Sequence, residues 1–506
     1  MRKQVNVIGA GVAGLASAIR LQHAGYQVDV YEKESMPGGK MHRIEQDGYQ
    51  FDLGPTIVMM PELYRKIFKL CGRDPDDYIP MEKLDPMYRV HFQDGTPSMA
   101  ISSDLTDLMA TIESISEEDA EGFLAYLQEI YKRFTVAKNY FIQRPFRRSR
   151  DFFNPFMLKQ AMKLKTLDNA DHFLSRYIQD ERLKQMISFQ TLYIGVSPYN
   201  GPSLYSMIPM IEFLYGVWFI KGGMHTMATA MERLFRELGG EIHYNAQVEE
   251  ISIENGRADG IYVDGRKESA DFVMCNADFP FAMKHLVQDS KAKGKYTDKK
   301  IDRMKYSCSC FLLYLGMDRK YDEVDQVHHF VFNDDLDKNL HDIFEGNKLE
   351  SASFYVYIGS KADASMAPEG KDGLYILMPV SDLSTAKYAW DEETIQDYRR
   401  YILESLKTIK GFENVDEEIV TETYMTPKDF ESKFNAYNGA AFGLQPTLSQ
   451  SNHLRPQSKA THCENLYFTG SSTHPGAGVP IVLLSARIAV QELLYDDQGL
   501  MFDYGS

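Results

Sequence analysis

The chain has 506 residues, a formal net charge of −17 at pH 7, 44% apolar and 25% charged residues. That length exceeds what one hydrophobic core supports, so two or three lobes are expected. The acidic balance argues against a nucleic-acid partner. No run approaches the roughly 18 uninterrupted apolar residues of a spanning helix, which confines any membrane role to the surface.

The N-terminus runs straight into a strand pattern without a separate apolar segment, and the five cysteines are scattered and odd in number. Both features fit a reducing cytoplasm rather than a disulfide framework. Cys308 and Cys310 lie in an alternating run over 306–315, where a structural role on one strand face is expected and no metal site.

In chain order, Val5, Val7 and Ile8 form a short β-run, and Gly9-Ala10-Gly11-Val12-Ala13-Gly14 follows at once. Leu15, Ala18, Ile19 and Leu21 recur at helical spacing, with Ala16 and Ser17 between them. A second β-run, Val28-Asp29-Val30-Tyr31, ends in Glu32 and Lys33. Strand, glycine turn, helix, strand and acid together predict a Rossmann-like α/β dinucleotide-binding unit. Gly9 permits the turn, Gly11 admits a pyrophosphate, and Gly14 lets the helix lie on the strand. The helix start offers free N–H groups to phosphate, and Glu32 is placed to accept from ribose hydroxyls.

Gly38-Gly39-Lys40 follows in a turn-rich stretch, where a second backbone approach to the dinucleotide is expected, with Lys40 as a cation near phosphate. Residues 123–134 read as an amphipathic helix inside a mostly helical region, 101–215. Residues 141–165 break the global acidity: Arg144, Arg147, Arg148, Arg150, Lys159, Lys163 and Lys165 stand against Asp151, interleaved with Phe141, Phe146, Phe152, Phe153 and Phe156. Such a mixture suits an interfacial helix on anionic lipid, and equally a solvated, partly packed helix pair. Residues 243–253 and 260–263 are β-rich. Further β-runs at 311–315, 354–358 and 374–379 suit a second sheet.

Near the far end, Leu466-Tyr467-Phe468-Thr469-Gly470-Ser471 leads through Thr473-His474-Pro475-Gly476-Ala477-Gly478-Val479-Pro480 into a helix pattern with Ile481, Leu484, Ile488 and Leu493. Pro480 suits the first position of that helix. A helix start there would stabilise negative charge on a reduced flavin. A glycine turn at each end of the chain suits an elongated FAD, where NAD needs only the first.

These segments resemble the bacterial carotenoid desaturases of the phytoene-desaturase family, and within it those of the C30 pathway. The resemblance rests on 7–12, on Phe51-Asp52-Leu53-Gly54-Pro55-Thr56-Ile57-Val58-Met59-Met60-Pro61, on 189–195 and 201–206, on Phe219-Ile220-Lys221-Gly222-Gly223-Met224, and above all on 473–482. It implies an FAD-binding domain of the amine-oxidase/phytoene-desaturase type, interleaved with a substrate domain of mixed sheet plus helices. The expected division is 1–100, 216–300 and 425–506 for FAD, 101–215 for a helical substrate and docking region, and 301–424 for the substrate sheet. The residues expected at FAD are Val7, Ile8, Gly9, Ala10, Gly11, Val12, Ala13, Gly14, Leu15, Ala16, Ser17, Ala18 and Ile19, then Glu32, Lys33, Gly38, Gly39, Lys40, Gly54, Pro55 and Thr56. Val248, at the strand that resembles an adenine-contacting one, and Gly470, Ser471, Gly478, Val479 and Pro480 complete the set. Many flavoproteins carry Asp after the glycine, bonding the flavin's ribityl chain or phosphate, where this chain has Ser471; the departure leaves FAD binding expected and the side-chain contact at that point open.

The implied substrate is a long-chain isoprenoid hydrocarbon, which loses a hydride to flavin N5 and then a proton. The 25 Met, 29 Phe and 31 Tyr supply polarisable material for a tunnel, although core packing explains any one of them equally well. His474 is the first candidate for an acid/base role and Glu212 the second, with the chemistry mainly at the flavin. A structural role holding the late loop is the stronger reading of His474. A terminal-methyl oxidase or ketolase on the same scaffold, an amine oxidase, and a non-catalytic isoprenoid-binding relative are the competing readings. The expected location is the cytoplasm, peripherally at the inner face of the cell membrane. The sequence leaves the oligomeric state open.

Overall fold

Three distant parts of the chain build one five-stranded parallel sheet. In the computed structural model, which describes residues 2–166, 168–199 and 201–500, its spatial order is Leu466–Phe468, Phe272–Cys275, β1 (Gln4–Ile8), β2 (Gln27–Tyr31) and Glu241–His243. All neighbours run parallel, so ligand sites gather beyond their carboxyl ends, where β1 enters its glycine turn. The helix α1 (Val12–His23) packs behind, between Val479–Gln498 and His225–Glu237. Its Leu15, Ala16, Ala18 and Ile19 are fully buried. Small Ala and Ser side chains permit the close approach, and the large ones contribute about 1.5–3 kcal/mol each by burial.

The second sheet has seven strands in the order Ile419–Met425, Ser309–Met317, Gly373–Val380, Phe354–Tyr357, His328–Phe332, Tyr88–Phe92 and Met99–Ile101. Tyr88–Phe92 pairs parallel with His328–Phe332, and the other pairs are antiparallel. Period-two alternation divides its faces. Phe311, Leu313, Val356 and Ile376 pack with the helices Leu336–Glu345 and Glu392–Lys407. Cys310, Leu312, Tyr314, Phe330, Tyr355 and Tyr375 face the helical region that includes Glu117–Ala137, Glu181–Ser188 and Met207–Tyr215.

Two expectations change. The nucleotide part does not extend to residue 100, because Tyr88–Phe92 and Met99–Ile101 pair into the second sheet. Cys308 and Cys310 do not share a strand face. The strand begins at Ser309, and Cys308 just before it packs with the Phe311 side while Cys310 packs with the Tyr314 side.

Residues 141–165 form short pieces: a π-turn at Lys138–Ile142, then the helices Ser149–Phe152 and Pro155–Leu164. Asn154 caps the latter by accepting from Met157 N–H at 2.9 Å. Met157 and Leu164 face inward, whereas Phe153, Phe156 and Met162 are 54%, 53% and 73% exposed. Among the described residues no helix is long and apolar enough to cross a membrane.

Candidate active site

A cavity of about 350 Å³ runs from the first glycine turn to the late one. Ile8, Gly9, Gly11, Val12, Ala13, Glu32, Lys33, Gly38, Gly39, Lys40, Gly54, Pro55, Val248, Gly470, Ser471, Gly478 and Val479 all border it. Val7, Ala10, Gly14, Leu15, Ala16, Ser17, Ala18 and Ile19 do not: they pack behind the wall as part of the core around α1. The two early turns are joined, since Gly38 N–H donates to the Ala10 carbonyl at 3.0 Å.

Two helices open onto this cavity from glycine caps that carry no side chain, and in α1 only Gly14 N–H is taken up, by Asn276, which leaves the N–H groups of Val12 and Ala13 toward the cavity. Gly11 precedes α1, and Gly478, at φ +101°, precedes Val479–Gln498. Uncapped N–H groups at both ends offer positive dipole ends to anionic groups. Glu32 spans β2 and the turns by accepting from Ala10 N–H at 2.7 Å and Glu34 N–H at 2.9 Å. Its burial raises its pKa from the usual carboxylate range. Each carboxylate oxygen has a second lone pair for a ribose hydroxyl.

Lys40 departs from its expected role near phosphate. Its Nζ donates to the Ala441 carbonyl at 2.7 Å and lies near Asp278 and Cys310 rather than at the Gly11 turn. Burial lowers its pKa. Asn276, not singled out by the sequence, follows the strand Phe272–Cys275, lines the cavity and accepts from Gly14 N–H through its side chain. Its position just past a buried parallel strand was the available signal. Arg455, also missed, is fully buried and donates to the carbonyls of Leu444, Gln450, Ser471 and Thr473, fixing the late loop.

A second cavity of about 710 Å³ abuts the first. Met59, Met60, Phe189, Leu192, Met207, Ile211, Phe330 and Phe332 are typical of its wall. Gly54, Pro55, Tyr193, Cys310, Leu377, Phe442, Ala477, Gly478 and Val479 border both cavities. Thr56 and Pro480, expected at the cofactor, line only this second cavity. The Thr56 hydroxyl lies 2.7 Å from the Tyr355 hydroxyl, which lies 2.6 Å from His328 Nδ1. Glu62, Lys66, Lys138 and Tyr215 both line this cavity and are exposed, which places its mouth between Pro61–Leu70, the end of Glu117–Ala137 and the end of Met207–Tyr215.

Neither acid/base candidate lines either cavity. His474 Nε2–H donates to the Arg144 carbonyl at 2.9 Å and its ring meets Phe146 edge-on at 5.4 Å. Burial lowers its pKa to about 4. The side chain therefore ties the late loop to the 141–165 segment, and it points away from the reaction site. Glu212 is fully buried and accepts from Gln190 Nε2 at 3.1 Å. Burial raises its pKa to about 7. Away from both cavities, Asp29, Glu241 and His243 bring one ligand atom each within 4.8 Å of one another. Asp29 is already held by Gln4 Nε2 at 2.5 Å.

Residues 12–494 match the family described as flavin containing amine oxidoreductase. The chain belongs to that family. This flavin-dependent oxidoreductase is 44% identical over 502 residues to a 4,4′-diapophytoene desaturase (4,4′-diaponeurosporene-forming) of Staphylococcus aureus strain bovine RF122 / ET3-1, covering 98% of this chain and 100% of that one. The corresponding protein of strain Newman is 44% identical over 497 residues, covering 97% and 99%. Solved structures share the fold: an oxidoreductase from Methanosarcina mazei (TM-score 0.64, 19% identity, 96% and 98% covered) and a putrescine oxidase bound to putrescine (TM-score 0.63, 14% identity, 98% and 99% covered).

The cofactor of this flavoenzyme is FAD, and the first cavity fits it. The fit rests on two helix starts with glycine caps at opposite ends, the buried Glu32 carboxylate beside the first turn, which could accept from a ribose hydroxyl, and glycine backbone at the turns. A Cβ on Gly11 would lie 3.3 Å from Asn276 Oδ1, crowding a cavity wall that Gly11 and Asn276 both form. The end of this cavity away from the Gly11 turn, where the flavin ring would lie, is the wall shared with the second cavity.

Proposed function

We propose that this flavoenzyme desaturates a C30 isoprenoid hydrocarbon, converting 4,4′-diapophytoene stepwise towards 4,4′-diaponeurosporene. The observation that carries the reading is the shared wall. A large apolar cavity meets the ring end of the FAD cavity over backbone at Gly54, Pro55 and Gly478. The full-length relatives named above are desaturases of that substrate. FAD, when bound, supplies the acceptor for the hydride equivalent that leaves an allylic carbon. The chain's part is to hold the hydrocarbon between Met59, Met60, Phe189 and Phe330 and to keep water from it. Met and aromatic walls contact π-systems favourably without fixing one rigid shape.

A hydrocarbon of this class partitions into the bilayer, and a surface that collects it there completes the reading. Exposed Phe153, Phe156 and Met162 stand beside exposed Arg148, Arg150, Lys159 and Lys163. Phe156 packs edge-on against Tyr140 at 5.5 Å, next to the Lys138 side of the cavity mouth. The combination supports peripheral docking on anionic lipid from the cytoplasmic side.

Purified enzyme with FAD and 4,4′-diapophytoene in liposomes tests the reaction. The expected product is a hydrocarbon of longer conjugation, read by absorbance and mass. An aldehyde or acid as the first product overturns the desaturase reading in favour of a methyl oxidase.

A further inference from the structure

Desaturation removes a hydride and then a proton from adjacent carbons, and an apolar cavity holds no ready acceptor for the proton. Lining groups that carry a charge, Glu62, Arg65, Lys66 and Lys138, sit on the helices at the mouth. Deeper in the wall the protic side chains include Thr56, Tyr64, Tyr193, Tyr205 and Tyr355 and the thiols of Cys308 and Cys310. Both thiols are pushed up by burial. Tyr205 has Ser451 Oγ as a partner at 3.3 Å. Tyr193 faces the buried Glu212 carboxyl, which Gln190 and Tyr88 also face, whereas the Tyr355 hydroxyl lies 2.6 Å from an imidazole nitrogen.

We propose that Tyr355 takes the proton that leaves the substrate and passes its own to His328. Thr56 Oγ1, 2.7 Å from the Tyr355 hydroxyl, holds the phenol in place from the cavity side. Thr56 follows directly on Gly54 and Pro55, which border both cavities, so the pair stands next to the place where substrate meets the ring end.

The strand register builds this pair. Phe330 lies opposite Tyr355 and His328 opposite Tyr357, so the imidazole sits diagonal to Tyr355 on the same face. Its ring stacks on Tyr355 at 5.9 Å and on Tyr357 at 5.4 Å. His328 is 1% exposed, and burial holds it neutral, with a pKa near 3. A neutral imidazole whose Nδ1 accepts from Tyr355 is a free base at physiological pH, and an allylic cation is acidic enough to protonate it. Nε2 is buried without a hydrogen-bond partner among the described residues. Structural anchoring therefore uses only the Nδ1 side.

The step balances within the chain and substrate. The C–H bond breaks, and its electron pair becomes the new C=C π-bond. The proton joins the Tyr355 oxygen as the phenolic proton moves to Nδ1, leaving an imidazolium. The hydride and its two electrons are accounted for separately, by the acceptor that FAD would supply when bound. Once product leaves, the imidazolium returns its proton through Tyr355 to water entering the emptied cavity.

This inference rests on the desaturase reading, which the wild-type product tests on its own. The variants are Tyr355→Phe and His328→Gln, the latter retaining an acceptor toward Tyr355. Each is assayed with substrate deuterated either at the hydride-losing or at the proton-losing carbon. Expected are wild-type flavin occupancy, turnover lower by about 100-fold, and an isotope effect at the proton-losing carbon that wild type lacks. Turnover within twofold of wild type overturns the proposal. So does a loss in which the isotope effect stays at the hydride-losing carbon, the signature of mere positioning. If Tyr355→Phe fails to hold flavin, His328→Gln decides by the same readout.

Discussion

Gly14 and Asn276 are locked together: the N–H of the third motif glycine donates to the Asn276 side chain. A Cβ on Gly14 would fall 2.0 Å from the Gly9 carbonyl oxygen and 2.8 Å from Asn276 Oδ1. The helix, the turn and the strand Phe272–Cys275 meet at this one point. Gly14→Ala should therefore force them apart, at about 1–3 kcal/mol as for an overpacked core. Thermal unfolding and flavin occupancy measure it, and wild-type values of both would refute the close-packing account.

Glu212→Gln should stabilise the protein selectively at alkaline pH. The folded carboxyl titrates near 7 because burial opposes its charge, against 4.5 in the unfolded chain. A raised pKa contributes stability that is complete below about 4.5 and lost as pH rises through 7. The neutral amide escapes that loss, so the variant should gain up to roughly 3 kcal/mol on wild type between pH 5 and pH 8. Denaturant melts at the two pH values decide. An equal difference at both would mean that Glu212 is not the titrating group.

His474→Gln should leave the pH profile of turnover unchanged and make the fold less sensitive to acid. The imidazole is held neutral, at about 4 against 6.5 unfolded. A depressed histidine contributes stability present above about 6.5 and lost as pH falls through 4. Gln keeps an N–H for the Arg144 carbonyl but cannot titrate. Melts at pH 7 and pH 4.5 should converge on the variant's side. A shifted turnover profile would return His474 to the acid/base role that its orientation denies it.

Replacing Arg148, Arg150, Lys159 and Lys163 by Glu should abolish flotation with anionic vesicles and leave flavin content intact. Each basic residue near such a surface contributes about 1 kcal/mol. Arg147 is left out, because it is engaged with Glu492 at 2.6 Å and Asp496 at 3.2 Å. Wild-type flotation by the fourfold variant would remove the docking surface.

The nucleotide unit was legible because its signals are local: β1, the glycine turn, α1, β2 and Glu32 follow one another within 32 residues. The late motif was legible for the same reason, with Gly478 and Pro480 marking a helix start. What pairs across distance was not. Tyr88–Phe92 looks like any short strand, and only its parallel partner His328–Phe332 assigns it to the second sheet. Asn276 and Ala441 touch the motif residues Gly14 and Lys40 across more than 250 positions. Side-chain direction was equally hidden. His474 sits in the motif yet points to Arg144, and Lys40 reaches past the phosphate region to Ala441. His328 and Tyr355 meet only because an antiparallel register sets them on one face.

Ala477, Gly478 and Val479 form a single stretch of chain that lines both cavities. The floor of the hydrocarbon cavity is thus also a wall of the FAD cavity. Occupation of one side therefore finishes the other, and linkage makes the favour mutual: whatever factor FAD adds to the affinity for hydrocarbon, hydrocarbon must add to the affinity for FAD.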